Sequence, residues 1–248
     1  MMAVFTFGFY EFAKFSSGME AGGKTASEQM MQKAGNFITQ GPLKINFAEG
    51  NPKIFLGVNG FDQNLAKVDG SISLADNSMI IGAKEAGMMK EEKLIQKPGD
   101  ILKDFFGIPA MKVAGIIEET GTELDELHIV NRNTFSNLAG VAEVKALLSG
   151  SETKLFYFVS GENIPEKLQK NIANDSFGAV TIGGRRYQPI YIGSAEAKVM
   201  TQEKLFQKEG DRLDNFFGND VIIAGILPET KTILDNFHFV GAEFQISK

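Results

Sequence analysis

With 248 residues, 43% of them hydrophobic and 23% charged, the chain has a globular composition and the length of two ordinary domains or one large one. A net charge of −6 with the two signs interspersed leaves no basic run for a phosphate backbone, which argues against nucleic-acid binding. The absence of cysteine excludes disulfides, thiolate nucleophiles, iron–sulfur clusters and cysteine zinc sites, and leaves the compartment open.

The first segment crowds Phe5, Phe7, Phe9, Tyr10, Phe12 and Phe15 into eleven residues. A membrane-spanning helix needs roughly 20 apolar residues, and Glu11 and Lys14 interrupt this one. It has neither the basic start nor the small-residue cleavage site of a signal peptide. Two readings stand. Residues 1–15 are the last turns of a membrane helix with Tyr10 and Lys14 at the interface, or they are an apolar strand or helix packed on the body. A helix lying in the membrane interface is a third. A Gly-rich stretch at 18–24 follows, and Thr25 and Glu28 then have capping-box spacing. Met30, Met31, Ala34, Phe37 and Ile38 recur at helical spacing up to a stop at Gln40-Gly41-Pro42. This predicts one amphipathic helix, either a stalk or a helix on the body.

The rest of the sequence is written twice. Residues 93–107 (KLIQKPGDILKDFFG) and 204–218 (KLFQKEGDRLDNFFG) are identical at 10 of 15 positions, and residues 114–130 and 224–240 at 10 of 17. The match begins earlier, where residues 43–60 align without gaps to 144–161 and Lys53 falls on Lys154, Phe55 on Phe156 and Gly60 on Gly161. The sequence thus predicts a β-rich α+β fold made by tandem duplication of a hairpin/helix/β unit of about 90–100 residues. The expected parts are a leading segment and helix (1–42), repeat 1 (43–131), a connector (132–143), repeat 2 (144–241) and a tail (242–248). The repeats are expected to pack with pseudo-twofold symmetry. Between the well-matched parts the second copy is ten residues longer, with a short helix expected at 164–172 and a hairpin turning at Gly183-Gly184. Both copies share IG-x-x-EA (Glu85; Glu196), which predicts a strand ending at Gly82 or Gly193 and a helix running through Met89 or Met200 to Leu94 or Leu205.

Both histidines of the chain occupy equivalent places, His128 in TELDELHIV and His238 in TILDNFHFV. Around them lie Asp125 and Asp235, the pairs Thr120/Thr122 and Thr230/Thr232, and Glu119 and Glu229. One reading joins His128, His238, Asp125 and Asp235 around a divalent metal, with carboxylates orienting neutral imidazoles. The other has Asp125 and Asp235 capping turns while each histidine fills a half-buried strand position and bonds backbone. Gly99-Asp100 and Gly210-Asp211 read as turns in which Asp accepts from backbone amides. Phe105-Phe106-Gly107 and Phe216-Phe217-Gly218 read as core anchors before tight turns. Arg185 and Arg186 at the hairpin tip are a candidate anion site or solvated charge. No G-x-S-x-G elbow is present.

The pieces IIGAKEA, GDIL, VAGI and TGTELDELHIV, repeated as YIGSAEA, GDRL, IAGIL and TKTILDNFHFV, resemble the extracytoplasmic core domain of FtsX/MacB-type transporter permeases. The likeness covers about 50 residues per copy, and this chain carries the unit twice and without that family's four membrane helices. The resemblance implies a β-rich extracytoplasmic domain that contacts partners, with no catalytic residues to carry over. The duplicated Gly-Asp box is also similar to double-psi and cradle-loop barrels. The expectation is a non-catalytic binding or assembly module without a cofactor. It is membrane-associated through residues 1–15, extracytoplasmic, and joined to a protein partner or to itself. The alternatives are a metal-binding protein or metal-dependent hydrolase using the symmetric His/Asp/Glu set, and a cytoplasmic small-ligand binder with a cleft between repeats.

Overall fold

The computed structural model describes residues 26–46, 52–149, 152–159, 168–172, 176–230 and 233–246. The aromatic segment 1–15, the Thr25 cap, Thr232 and residues 164–167 of the short helix expected at 164–172 lie outside them. The described residues hold fourteen strands and four α-helices in a β-rich α+β arrangement. The chain divides into two compact units, Met1–Thr153 and Lys154–Lys248.

In the first unit, helix α1 (Ala26–Gln40) ends at the expected Gly41-Pro42 stop. It buries Ala34 and Ile38 and sets Phe37 edge-on to Phe61 at 6.2 Å. It lies on strand β8 (Ala142–Ser149) and the 3-10 turn Glu123–Glu126, so it packs on the body. Strands β1 (Leu43–Ile45) and β2 (Ile54–Val58) form the expected antiparallel pair. The sheet runs β8-β1-β2-β7-β4-β6, where β4 is Ser78–Ile81, β6 is Ile108–Ile117 and β7 is Leu127–Asn131. Strands β3 (Val68–Gly70) and β5 (Ile101–Phe105) both pair with β6 on its far side, one along each half. β2 and β7 are parallel, β7 and β4 antiparallel, β4 and β6 parallel.

In the second unit the equivalent strands follow in the same order: β9 (Glu152–Val159), β14 (Phe237–Gly241), β11 (Arg185–Ile192), β13 (Asn219–Ile226) and β12 (Arg212–Phe216). Their senses are parallel, antiparallel, parallel and antiparallel. Even the register shifts recur, between Met79 and Ile80 and between Ile190 and Tyr191. Strand β10 (Val180–Ile182) hairpins onto β11 through Gly183 (φ 60°) and Gly184 (φ 81°), as their spacing predicts.

Two boundaries differ from expectation. Sequence alignment puts residues 144–149 in repeat 2, yet β8 pairs with β1 (Leu43↔Val144, Lys44↔Glu143, Ile45↔Ala142) and belongs to the first unit. The connector also contains helix α3 (Arg132–Asn137), whose first turn is capped by Asn131 accepting from the Thr134 amide. Helices α2 (Ala83–Glu91) and α4 (Ser194–Gln202) stop three residues short of Leu94 and Leu205. Lys93 and Lys204 take left-handed backbone (φ 61° in both), and Leu94 and Leu205 donate their amides to Met89 and Met200. This is a Schellman stop with lysine in the usual glycine place.

The core of the first unit gathers Phe55, Met79, Ile81, Met89, Val113 and Val130 under α2. Phe105 and Phe106 lean on it, and Phe106 meets Phe55 edge-on at 5.0 Å. The two-residue turn Phe106-Gly107 has positive φ at both positions (49° and 79°), as does Phe217-Gly218 (49° and 86°). That is the backbone sense a tight hairpin turn demands, and the phenylalanines hold it through their ring contacts.

Candidate functional site

Both histidines sit deep in their own units. β7 is buried along Leu127–Val130 because it lies between β2 and β4, so His128 is fully buried where a half-buried position was expected. His238 is fully buried in β14 for the same reason, between β9 and β11. Across the parallel pairing, His128 Nδ1 lies 3.3 Å from the carbonyl of Ile54, and His238 Nδ1 lies 3.2 Å from that of Leu155. A carbonyl only accepts, so Nδ1 carries the proton and Nε2 keeps its lone pair. Phe55 tilts against His128 at 4.8 Å, and Phe156 stacks on His238 at the same distance.

The neighbours of Nε2 are a buried ion pair. Lys53, just ahead of β2, reaches Glu85 Oε1 at 2.5 Å, and His128 Nε2 lies 3.5 Å from that same oxygen without closing a hydrogen bond. Glu92 approaches Lys53 at 3.4 Å from the exposed side. The second unit repeats the set. Lys154 reaches Glu196 Oε1 at 2.9 Å, His238 Nε2 lies 3.4 Å from that oxygen, and Glu203 stands 3.7 Å from Lys154. One difference is that His238 Nε2 is also 3.4 Å from Met200 Sδ.

Local structure explains how a carboxylate enters the interior. Glu85 and Glu196 occupy the first turns of α2 and α4, where the helix dipole favours a negative charge. Gly82 and Gly193 bring those helix ends close. A Cβ at Gly82 would lie 2.2 Å from the Leu124 carbonyl oxygen, and one at Gly193 would lie 2.4 Å from that of Leu234. Burial pushes Glu85 up to about 7 against the opposing pull of Lys53. It pushes both histidines down to about 3, with Lys53 and Lys154 adding to the shift.

Asp125 and Asp235 do other work. Asp125 accepts from the amides of Thr120 and Gly121 and from the Thr120 hydroxyl. Asp235 accepts from the Thr230 amide and hydroxyl. These are turn contacts that hold the 3-10 segments leading into β7 and β14. Glu119 and Glu229 are exposed. Among the described residues no group of three or more His, Asp or Glu is placed to hold a metal ion.

The Gly-Asp turns are as the sequence predicts. Asp100 Oδ2 accepts from the amides of Gln96 and Lys97, and Asp211 Oδ2 from those of Gln207 and Lys208. These backbone donors hold both carboxyls below their ordinary value. Gly99 (φ 97°) and Gly210 (φ 87°) supply the left-handed step. Phe105 and Phe216 lie edge-on to Phe106 and Phe217 at 4.8 and 4.9 Å. The two arginines face carboxylates of the chain itself. Arg185 makes a two-pronged contact to Asp220 at 2.6 Å and meets Asp214 at 3.0 Å, while Arg186 reaches Glu243 at 2.6 Å.

The sequence neighbourhood surrounds the histidines with Asp, Thr, Glu119 and Glu229 and does not assign Lys53, Glu85, Lys154 or Glu196 to them. The signal was present in the repeat. The four residues align as two pairs, Lys53 with Lys154 and Glu85 with Glu196. No protein-family model matches the chain, and no curated protein or solved structure is similar enough to count as a match.

Proposed function

We propose that this chain is a non-catalytic binding or assembly module, built by tandem duplication, tethered to a membrane by its N-terminal segment and exposed outside the cytoplasm. One observation carries the reading. Among the described residues, the lysines, glutamates and histidines best suited to chemistry are committed to the interior of each unit. Lys53, Glu85 and His128, like Lys154, Glu196 and His238, are each less than a tenth exposed and bonded to one another or to backbone. A nucleophile or general base has to reach a substrate, whereas these groups fasten β2 to α2 and β9 to α4. The aromatic cluster 5–15 supports the tether. No helix among the described residues is long and apolar enough to cross a membrane, so the tether rests on residues outside them.

The test is flotation of the whole chain, and of the chain lacking residues 1–15, with vesicles of mixed neutral and anionic lipid. Vesicle association that disappears with the deletion is the expected result. Equal recovery of both forms in the lipid-free fraction would remove the membrane tether. A cobalt titration of the same samples separates the metal reading. Stoichiometric ligand-field absorption that vanishes in His128→Ala with His238→Ala would replace this proposal with a metal-binding one.

A further inference from the structure

Asn59 and Gly60 form the one Asn-Gly dipeptide of the sequence. They stand exposed just past the C-terminal end of β2. A Cβ at Gly60 would meet nothing within 4 Å, so the backbone there has room to turn. The Asn59 amide, by contrast, is oriented. Arg132 Nε donates to Asn59 Oδ1 at 2.9 Å. A guanidinium N–H can only donate, so the carbonyl oxygen faces Arg132 and the amide NH2 faces away. The contact draws electron density from Asn59 Cγ, and it is placed to stabilise negative charge that develops on Oδ1.

We propose that Asn59–Gly60 is a self-modification site, in which the Gly60 amide nitrogen attacks Asn59 Cγ with Arg132 as the electrophilic partner. The Gly60 nitrogen loses its proton to hydroxide as the N–Cγ bond forms. Charge collects on Oδ1 beside Arg132. The Cγ–Nδ2 bond then breaks, and Nδ2 leaves as ammonia after taking a proton from water. The product is a five-membered cyclic imide between residues 59 and 60. One water opens it. Opening at the side-chain carbonyl gives aspartate, and opening at the main-chain carbonyl gives isoaspartate. The sum is one water consumed and one ammonia released, with no redox partner.

The aspartate product places a carboxylate beside Arg132, where the neutral contact becomes an ion pair, whereas in isoaspartate Cγ becomes the main-chain carbonyl. The isoaspartate also lengthens the main chain directly after Val58, which pairs with Asn131, the residue that caps α3. The modification therefore acts on the joint between β2, β7 and α3. The aligned residue of the second repeat, Ser160, has no amide to lose.

The experiment incubates the full chain in mildly alkaline buffer beside a synthetic peptide spanning residues 54–65. Peptide mass mapping follows the amide-to-acid mass gain at residue 59, and an isoaspartate methyltransferase assay identifies the linkage. The expected result is conversion in the folded chain at least as fast as in the peptide. It slows severalfold in Arg132→Ala, is partly kept in Arg132→Lys and is absent in Asn59→Gln. Arg132 is exposed, so Arg132→Ala is expected to fold, and its circular dichroism is recorded alongside. Slower conversion in the folded chain than in the peptide would mean the fold protects the site and would overturn the proposal. So would an Arg132→Ala rate equal to or above that of the parent chain.

Discussion

At the scale of single residues, the informative chemistry is a lysine, a glutamate and a histidine sharing one buried carboxylate oxygen. Two charges out of water are tolerated only as a pair, because each alone would keep its desolvation penalty and lose its partner. Glu85→Ala is therefore expected to destabilise the first unit by about 3 kcal/mol, since it leaves the buried Lys53 with only the more exposed Glu92 as a partner. Lys53→Met combined with Glu85→Leu is expected to be far milder than the single change. Urea unfolding of both variants checks this, and a double variant no better than Glu85→Ala would show that the pair contributes through its shape rather than its charges. Legibility in the sequence was partial here. Asp100 and Asp211 could be assigned because their partners lie three and four residues away. The His128 partners could not, because Lys53 and Glu85 are 75 and 43 residues distant and meet it only through the β2–β7 pairing and the approach of α2.

At the scale of elements, the two helix ends show how a repeated local device departs from a propensity argument. Apolar spacing continues through Leu94 and Leu205, which reads as helix. The backbone instead turns left-handed at Lys93 and Lys204, where a side chain is disfavoured by roughly 1–2 kcal/mol. Glycine carries no such penalty, although it loses more freedom on folding. Lys93→Gly is thus expected to stabilise the first unit by about 0.5–1 kcal/mol, and Lys204→Gly the second by a similar amount. A thermal melt checks the sign, and a lowered midpoint would mean that the lysine side chains make contacts worth more than the backbone relief. The β strands were easier to read than the helix ends. β13 is apolar from Val221 to Ile226, and the structure buries Val221, Ile223 and Gly225 between more exposed neighbours. β7 and β2, buried along both faces, show no alternation, and only their apolar content marked them.

At the scale of the whole molecule, the shifted groups set how stability follows pH. Glu85 titrates about 7 when folded against an ordinary 4.5, so the stability it contributes is greatest below 4.5 and is lost as pH rises to about 7. His128 titrates about 3 against an ordinary 6.5, so its contribution is complete above 6.5 and is lost as pH falls to about 3. Between 4.5 and 6.5 the two slopes have opposite sign, each about 1.4 kcal/mol per pH unit, and cancel. The first unit should therefore be nearly indifferent to pH across that window. Glu85→Gln should convert the plateau into stability that rises with pH. Hydrogen-exchange protection of β2 and β7 amides, corrected for intrinsic exchange rates, reads this directly. An unchanged plateau in the variant would place the compensating group elsewhere. The β-rich class followed from the sequence, whereas the strand order of each unit is seen only in the structure. The division after Thr153 did not follow either, since nothing local in β8 says which strand it will pair with.

That pairing has a consequence of its own. Leu43 and Val144 occupy the same place in the two sequence copies, and they face each other across β1 and β8 in antiparallel register. Lys44 faces Glu143 and Ile45 faces Ala142 in the same antiparallel register. A strand lying antiparallel to its own counterpart about one matching pair is what a self-complementary contact between two identical molecules produces. Under the duplication reading, a single-copy forerunner would have closed this edge by binding a second molecule of itself. Fusing the copies would then have exchanged a partnership that depends on concentration for a tethered one that does not.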